Sequence, residues 1–120
     1  MICLAAGAVL ATLGAGPVTL AWTHSVERTR WREVWRQTSA GLVLEEASVQ
    51  GSGAGMDPPQ GALLGPHGWT WRPALPPQRE IVLRRSGATA DWEVCVQDRC
   101  RAMDAYLPPE ADPVRLSACP

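Results

Sequence analysis

Residues 22 to 35 read WTHSVERTRWREVW, and the way this stretch is parsed decides the fold. Alternation with a period of two marks a strand, and it sets Trp22, His24 and Val26 on one face and Thr23, Ser25 and Glu27 on the other. After a turn near Arg28 to Arg30 the alternation resumes. Trp31, Glu33 and Trp35 then share one face, and Arg30, Arg32, Val34 and Arg36 share the opposite, mostly solvated one. Strands this close in the chain pair antiparallel, so Trp22 or His24 is expected across from Glu33 or Trp35.

Downstream, Gly41 turns the chain into a strand from Leu42 to Val49, with Leu42, Leu44 and Val49 inward. A loop with three glycines in five positions follows, Gly51-Ser52-Gly53-Ala54-Gly55-Met56-Asp57, and Pro58-Pro59 closes it. Residues 57 to 68 read as loop by composition. Trp69 to Trp71 forms a short aromatic strand and Glu80 to Arg85 another. Trp92 to Val96 and Arg99 to Met103 form a hairpin about Gln97-Asp98. From Tyr106 onward the prolines and acids predict an irregular tail. No heptads, repeats or long amphipathic runs occur, which excludes coiled coils and solenoids.

Upstream, residues 1 to 22 are uncharged and mostly small or apolar. No basic residue precedes the apolar run, and Gly7, Gly14, Gly16 and Pro17 interrupt it, which disfavours a leader or a spanning helix. Two short buried strands, Ile2 to Ala5 and Val9 to Leu13, are the favoured reading, with a third from Val18. A leader or anchor over residues 1 to 16 is the alternative.

The 120 residues suit a single β domain, and the net charge of -1 gives no reason to expect nucleic acid. Every basic residue is an arginine, which reads as coding bias more readily than as anion recognition. Eleven prolines and eleven glycines favour many short elements joined by turns. The expected fold class is therefore all-β: a small antiparallel sandwich or barrel.

Cys3, Cys95, Cys100 and Cys119 allow three pairings. If Gln97 and Asp98 form a two-residue turn, Cys95 faces Cys100 in the closely spaced, non-hydrogen-bonded type of pair that suits a disulfide. Cys3 then meets Cys119, because domain termini often lie near each other. Such bridges point to an oxidising, extracytoplasmic compartment, although no clear export signal is present. Zinc is disfavoured: C-x4-C is wide for a zinc knuckle, and Cys119 with His24 or His67 lacks any paired spacing. Neither a metal nor a cofactor is expected.

His24, Glu27 and Glu33 are the groups suited to acid and base work, since a carboxylate near a histidine can orient its ring. Ser25 cannot serve His24 as a nucleophile from a strand, because adjacent side chains point apart. No nucleophile elbow, Walker loop or dinucleotide fingerprint occurs. A structural role for His24 is favoured over ligand contact, and catalysis comes third, so no catalytic residue is assigned. The glycine loop is either an amide nest for an anion or a close backbone crossing. The candidate ligand-binding set is His24, Ser25, Glu27, Glu33, Gly51, Ser52, Gly53, Gly55 and Met56.

The motifs WTHSVE, W-x-E-x-W, GSGAGMDPP and DW-x-x-C with a second cysteine resemble a bacterial domain-of-unknown-function family, number eighteen-fifty. Members of that family start with a strand pair and are often encoded beside, or fused to, tripartite TRAP-type (TAXI) solute transporters. The resemblance supplies no catalytic residues. It implies a non-enzymatic accessory or binding module with a transporter subunit or an extracytoplasmic solute-binding protein as partner, and a small organic anion as a candidate ligand. The alternative is a small hydrolase or isomerase using His24 with Glu27 or Glu33.

Overall fold

A computed structural model describes residues 1–23, 29–50, 59–87 and 90–120. Among them, antiparallel strands form two sheets, as the all-β reading expects. The smaller has the order β2 (Val9–Gly14), β1 (Ile2–Ala6), β11 (Val114–Ala118), β8 (Glu80–Leu83). The larger has the order β10 (Arg99–Ala102), β9 (Glu93–Val96), β3 (Val18–Thr23), β4 (Arg30–Thr38), β5 (Gly41–Val49), β7 (Gly68–Trp71), β6 (Leu63–Gly65).

One apolar core joins the two sheets. Ile2, Leu4, Leu83, Val114 and Leu116 of the small sheet meet Val18, Leu20, Trp35, Leu42, Leu44 and Val94 of the large one. Met103, in a short 3-10 turn, and Leu107 are also fully buried there. The expected N-terminal strand pair is present as β1 and β2, and Ile2 and Leu4 have no exposed surface.

Two expectations about secondary structure need correction. The chain from Tyr106 is irregular only as far as Pro113, and β11 then runs between β1 and β8. Val114 and Leu116 alternate with Arg115 and Ser117, a strand pattern masked by the prolines just before it. Those prolines precede the ladder, where a missing amide breaks no pairing. Within residues 57 to 68, Leu63–Gly65 is an edge strand and not loop.

The β3–β4 register also differs from expectation. Trp22 faces Trp31, Glu33 faces Leu20 and Trp35 faces Val18. β4 starts at Arg30, so the last residue expected in the turn belongs to the strand, and each partner moves toward its N-terminus. Trp22 and Trp31 then stack with ring centroids 6.2 Å apart and planes at 9°. The tryptophans are not all interior: Trp35 is buried in the core, whereas Trp22, Trp31, Trp69 and Trp71 are half-buried and lie outside it.

On β5 the inward set is Leu42, Leu44, Ala47 and Val49, which changes parity midway. Val34 pairs with Glu46 and Trp35 with Leu44, so Glu45 is an extra residue, a β-bulge that shifts the alternation by one. Gly68 makes the approach of β7 to β5 possible. Its φ is +88°, and a Cβ there would lie 2.2 Å from the Val49 carbonyl oxygen. Gly68→Ala is expected to cost at least about 1–3 kcal/mol, through backbone strain and loss of β5–β7 pairing. Urea unfolding measures it, and an unchanged midpoint would refute the close approach.

Candidate functional site

Cross-strand pairing extends the inner face of the large sheet past the core. Trp69 lies opposite Val49 and Trp71 opposite Ala47, while Ala47 lies opposite Glu33 and Val49 opposite Trp31. Directly paired residues point to the same side. Trp22, Trp31, Trp69 and Trp71 therefore share this face, with the half-buried carboxylate of Glu33 among them.

Glu33 accepts one long hydrogen bond, from the Trp35 indole N–H at 3.4 Å. Burial pushes its carboxyl above the ordinary range, and the indole bond opposes this only in part. The β4 arginines lie on the opposite face, where Arg30 pairs with Glu93 at 2.7 Å, Arg32 with Glu46 at 3.0 Å and Arg36 with Glu45 at 3.2 Å. Among the described residues Glu33 has no cationic partner.

A carboxyl whose folded pKa is raised stays protonated in the folded chain after the unfolded chain has ionised. Its contribution is whole below about pH 4.3 and is lost as pH rises through the folded value. Glu33→Gln removes that loss. The variant is expected to gain stability relative to the parent as pH rises from 4 to 8, read from urea midpoints. A constant difference across that range would refute the burial of this charge.

Of the candidate ligand-binding residues, His24, Ser25, Glu27, Gly51, Ser52, Gly53, Gly55 and Met56 lie outside the described residues. Their flanks meet: Thr23 pairs with Arg30, and the Gln50 N–H donates to the Arg30 carbonyl at 2.9 Å. The hydrolase or isomerase alternative uses His24 with Glu27 or Glu33, and of that set only Glu33 lies among the described residues.

Beside the tryptophan face, Trp22 meets Trp92 with ring centroids 4.9 Å apart, and both line a small cleft of about 120 Å³ with Arg84, Arg85 and Asp91. Arg85 is fully engaged there. Its Nε and Nη2 donate to the two Asp91 oxygens at 3.1 and 2.6 Å, and its Nη1 donates to the Pro108 and Ala111 carbonyls. The Asp91 carboxyl is held below its ordinary range chiefly by these Arg85 bonds. These bonds clasp Arg85 to Asp91 and to the chain before β11.

The outer face carries an open groove of about 350 Å³ lined by Thr19, Arg32, His67, Gln97 and Asp98 together with Cys95 and Cys100. Both expected disulfides are present, Cys3–Cys119 with Cα atoms 5.0 Å apart and Cys95–Cys100 with Cα atoms 4.0 Å apart. The hairpin turn is as expected, with Gln97 and Asp98 both at positive φ. Glu93, Cys95 and Cys100 cluster within metal-ligand distances, but the two sulfurs are bonded to each other and are not thiolates. For the same reason the 3.8 Å contact from Cys95 Sγ to Glu93 Oε1 is a close approach without a donated proton.

Alternation puts Trp69 and Trp71 on one side of a strand, but only the β5–β7 pairing carries them to the Glu33 face. Likewise, nothing local links His67 and Arg32 to the hairpin disulfide. In comparisons with known proteins, a family model described as a domain of unknown function (DUF1850) matches residues 18–103. No curated protein and no solved structure matches the chain.

Proposed function

Since the chain belongs to the DUF1850 family of domains of unknown function, we propose that it is a non-enzymatic binding or accessory module that works with a TRAP-type solute transport system. The transport association rests on the resemblance of its motifs. The binding role rests on one observation: a half-buried carboxylate, Glu33, stands among half-buried tryptophans with no cationic partner among the described residues. An uncompensated buried charge costs stability, and a ligand or partner that brings the opposite charge recovers it.

Tryptophan faces attract cations, and a desolvated carboxylate strengthens a hydrogen bond to one. The occupant that suits this face is an ammonium or guanidinium group on an apolar body, carried by a solute, a transporter subunit or an extracytoplasmic solute-binding protein. A small organic anion would instead need the amides of the glycine loop, which lies outside the described residues.

The test has two arms. Thermal shift with tetramethylammonium, arginine and succinate is expected to show stabilisation by the cations, lost in a folded Glu33→Gln variant. Affinity capture from membranes of the native bacterium is expected to recover a TRAP-type component. Stabilisation by succinate alone, unchanged by Glu33→Gln, would overturn the cation reading. Capture without any transporter component would overturn the association.

A further inference from the structure

The two disulfides differ in what they hold. Cys3 is buried, and its bridge to Cys119 joins chain ends separated by 116 residues. Cys95 and Cys100 are five residues apart and directly opposite each other in a hairpin already closed by the Gln97-Asp98 turn and by ladder pairs on either side. The short bridge therefore adds little to a shape the backbone already keeps. Cys100 is exposed on β10, the edge strand of the large sheet, and Cys95 is half-buried beside it. The open groove on the outer face is lined by both cysteines, so a partner can approach the pair from that side.

We propose that Cys95–Cys100 is a thiol–disulfide exchange site that accepts electrons from a protein dithiol, with Cys100 as the sulfur attacked. Exposed disulfides are the exchangeable ones, and Cys100 is the exposed member of this pair, the Cys95 side being half-buried with the Glu93 carboxylate 3.8 Å from its sulfur. A thiolate of the dithiol attacks Cys100 Sγ, the Sγ–Sγ bond breaks, and Cys95 leaves as a thiolate. The second thiolate of the dithiol then attacks its own partner sulfur in the mixed disulfide and releases Cys100 as a thiolate. Two electrons pass to the chain, the dithiol becomes a disulfide, and solvent supplies the protons that the released thiolates take up. The ladder keeps both cysteines facing each other, so the reverse reaction restores the starting bond without refolding.

The test is stepwise reduction of the full chain with dithiothreitol, followed by alkylation with iodoacetamide and mass mapping of each cysteine. Cys95–Cys100 is expected to open at a dithiothreitol concentration at least tenfold below that needed for Cys3–Cys119, with the thermal transition still single and cooperative. In the Cys95→Ser variant, Cys100 is expected to form a mixed disulfide with glutathione disulfide faster than Cys95 does in the Cys100→Ser variant. Opening of both bridges together, prior opening of Cys3–Cys119, or faster capture at Cys95 would overturn the assignment. Loss of the fold on opening of Cys95–Cys100 alone would overturn it too, since the ladder would not then be holding the pair.

Discussion

Replacing Cys3 and Cys119 together with serine is expected to lower stability by about 5 kcal/mol, against about 2 kcal/mol for the Cys95 and Cys100 pair, by chain-entropy reckoning. The difference comes from loop length, because a bridge that spans 116 residues restricts the unfolded chain far more than one that spans five. The native geometry accommodates the long bridge. β1 and β11 are ladder partners, Cys3 faces Ser117, and the Cys119 N–H donates to the Met1 carbonyl at 2.8 Å. β1 also carries Ile2 and Leu4 into the core, so fraying at this end exposes the apolar interface between the sheets. Urea unfolding of the two double variants measures the ranking. A smaller loss for the terminal pair than for the hairpin pair would refute it.

The second large effect is expected at Arg85. Its side chain is 4% exposed and its partner Asp91 is 26% exposed. Arg85→Ala leaves that carboxylate without its cation and two carbonyls without their donor, a loss of about 3–5 kcal/mol. A double variant with Asp91→Asn should recover part of it, because the stranded charge is then gone. Full additivity of the two losses would show that they do not act as a pair. The pH profile carries a second signature. Asp91 is held below its ordinary range, so its contribution is whole above about pH 4 and is lost as pH falls through the folded value. Glu33 has the opposite sign. Stability should therefore rise modestly as pH falls from 8 toward 5, then drop below pH 4. Arg85→Ala weakens the acid limb, leaving the part carried by Asp112, which Arg84 holds below its ordinary range, and Glu33→Gln removes the neutral limb.

Strand alternation over Val18 to Thr23 and over Arg30 to Trp35, the Gln97-Asp98 turn and the facing of Cys95 with Cys100 were all legible in the chain, because each depends on neighbours a few residues apart. The β3–β4 register was not, because it is set by where β4 begins and by the stacking of Trp22 on Trp31. The parity change on β5 was hidden for a similar reason: a bulge is a property of a strand pair and leaves no mark on one strand alone. The C-terminal strand was concealed by its prolines, which lie just outside the ladder.

The candidate site divides along the same line. Local pattern alone marked Glu33 as an acid between two tryptophans. That its surroundings lack a cation among the described residues followed only from assembly. Alternation on β4 sends the arginines to the outer face, and β7 pairing with β5 brings Trp69 and Trp71 to the inner one. Alternation is a short-range consequence of strand geometry, which any stretch of chain carries with it. Strand order and sheet stacking depend on contacts between residues far apart in the chain, and those decide which titratable group ends up desolvated and beside what.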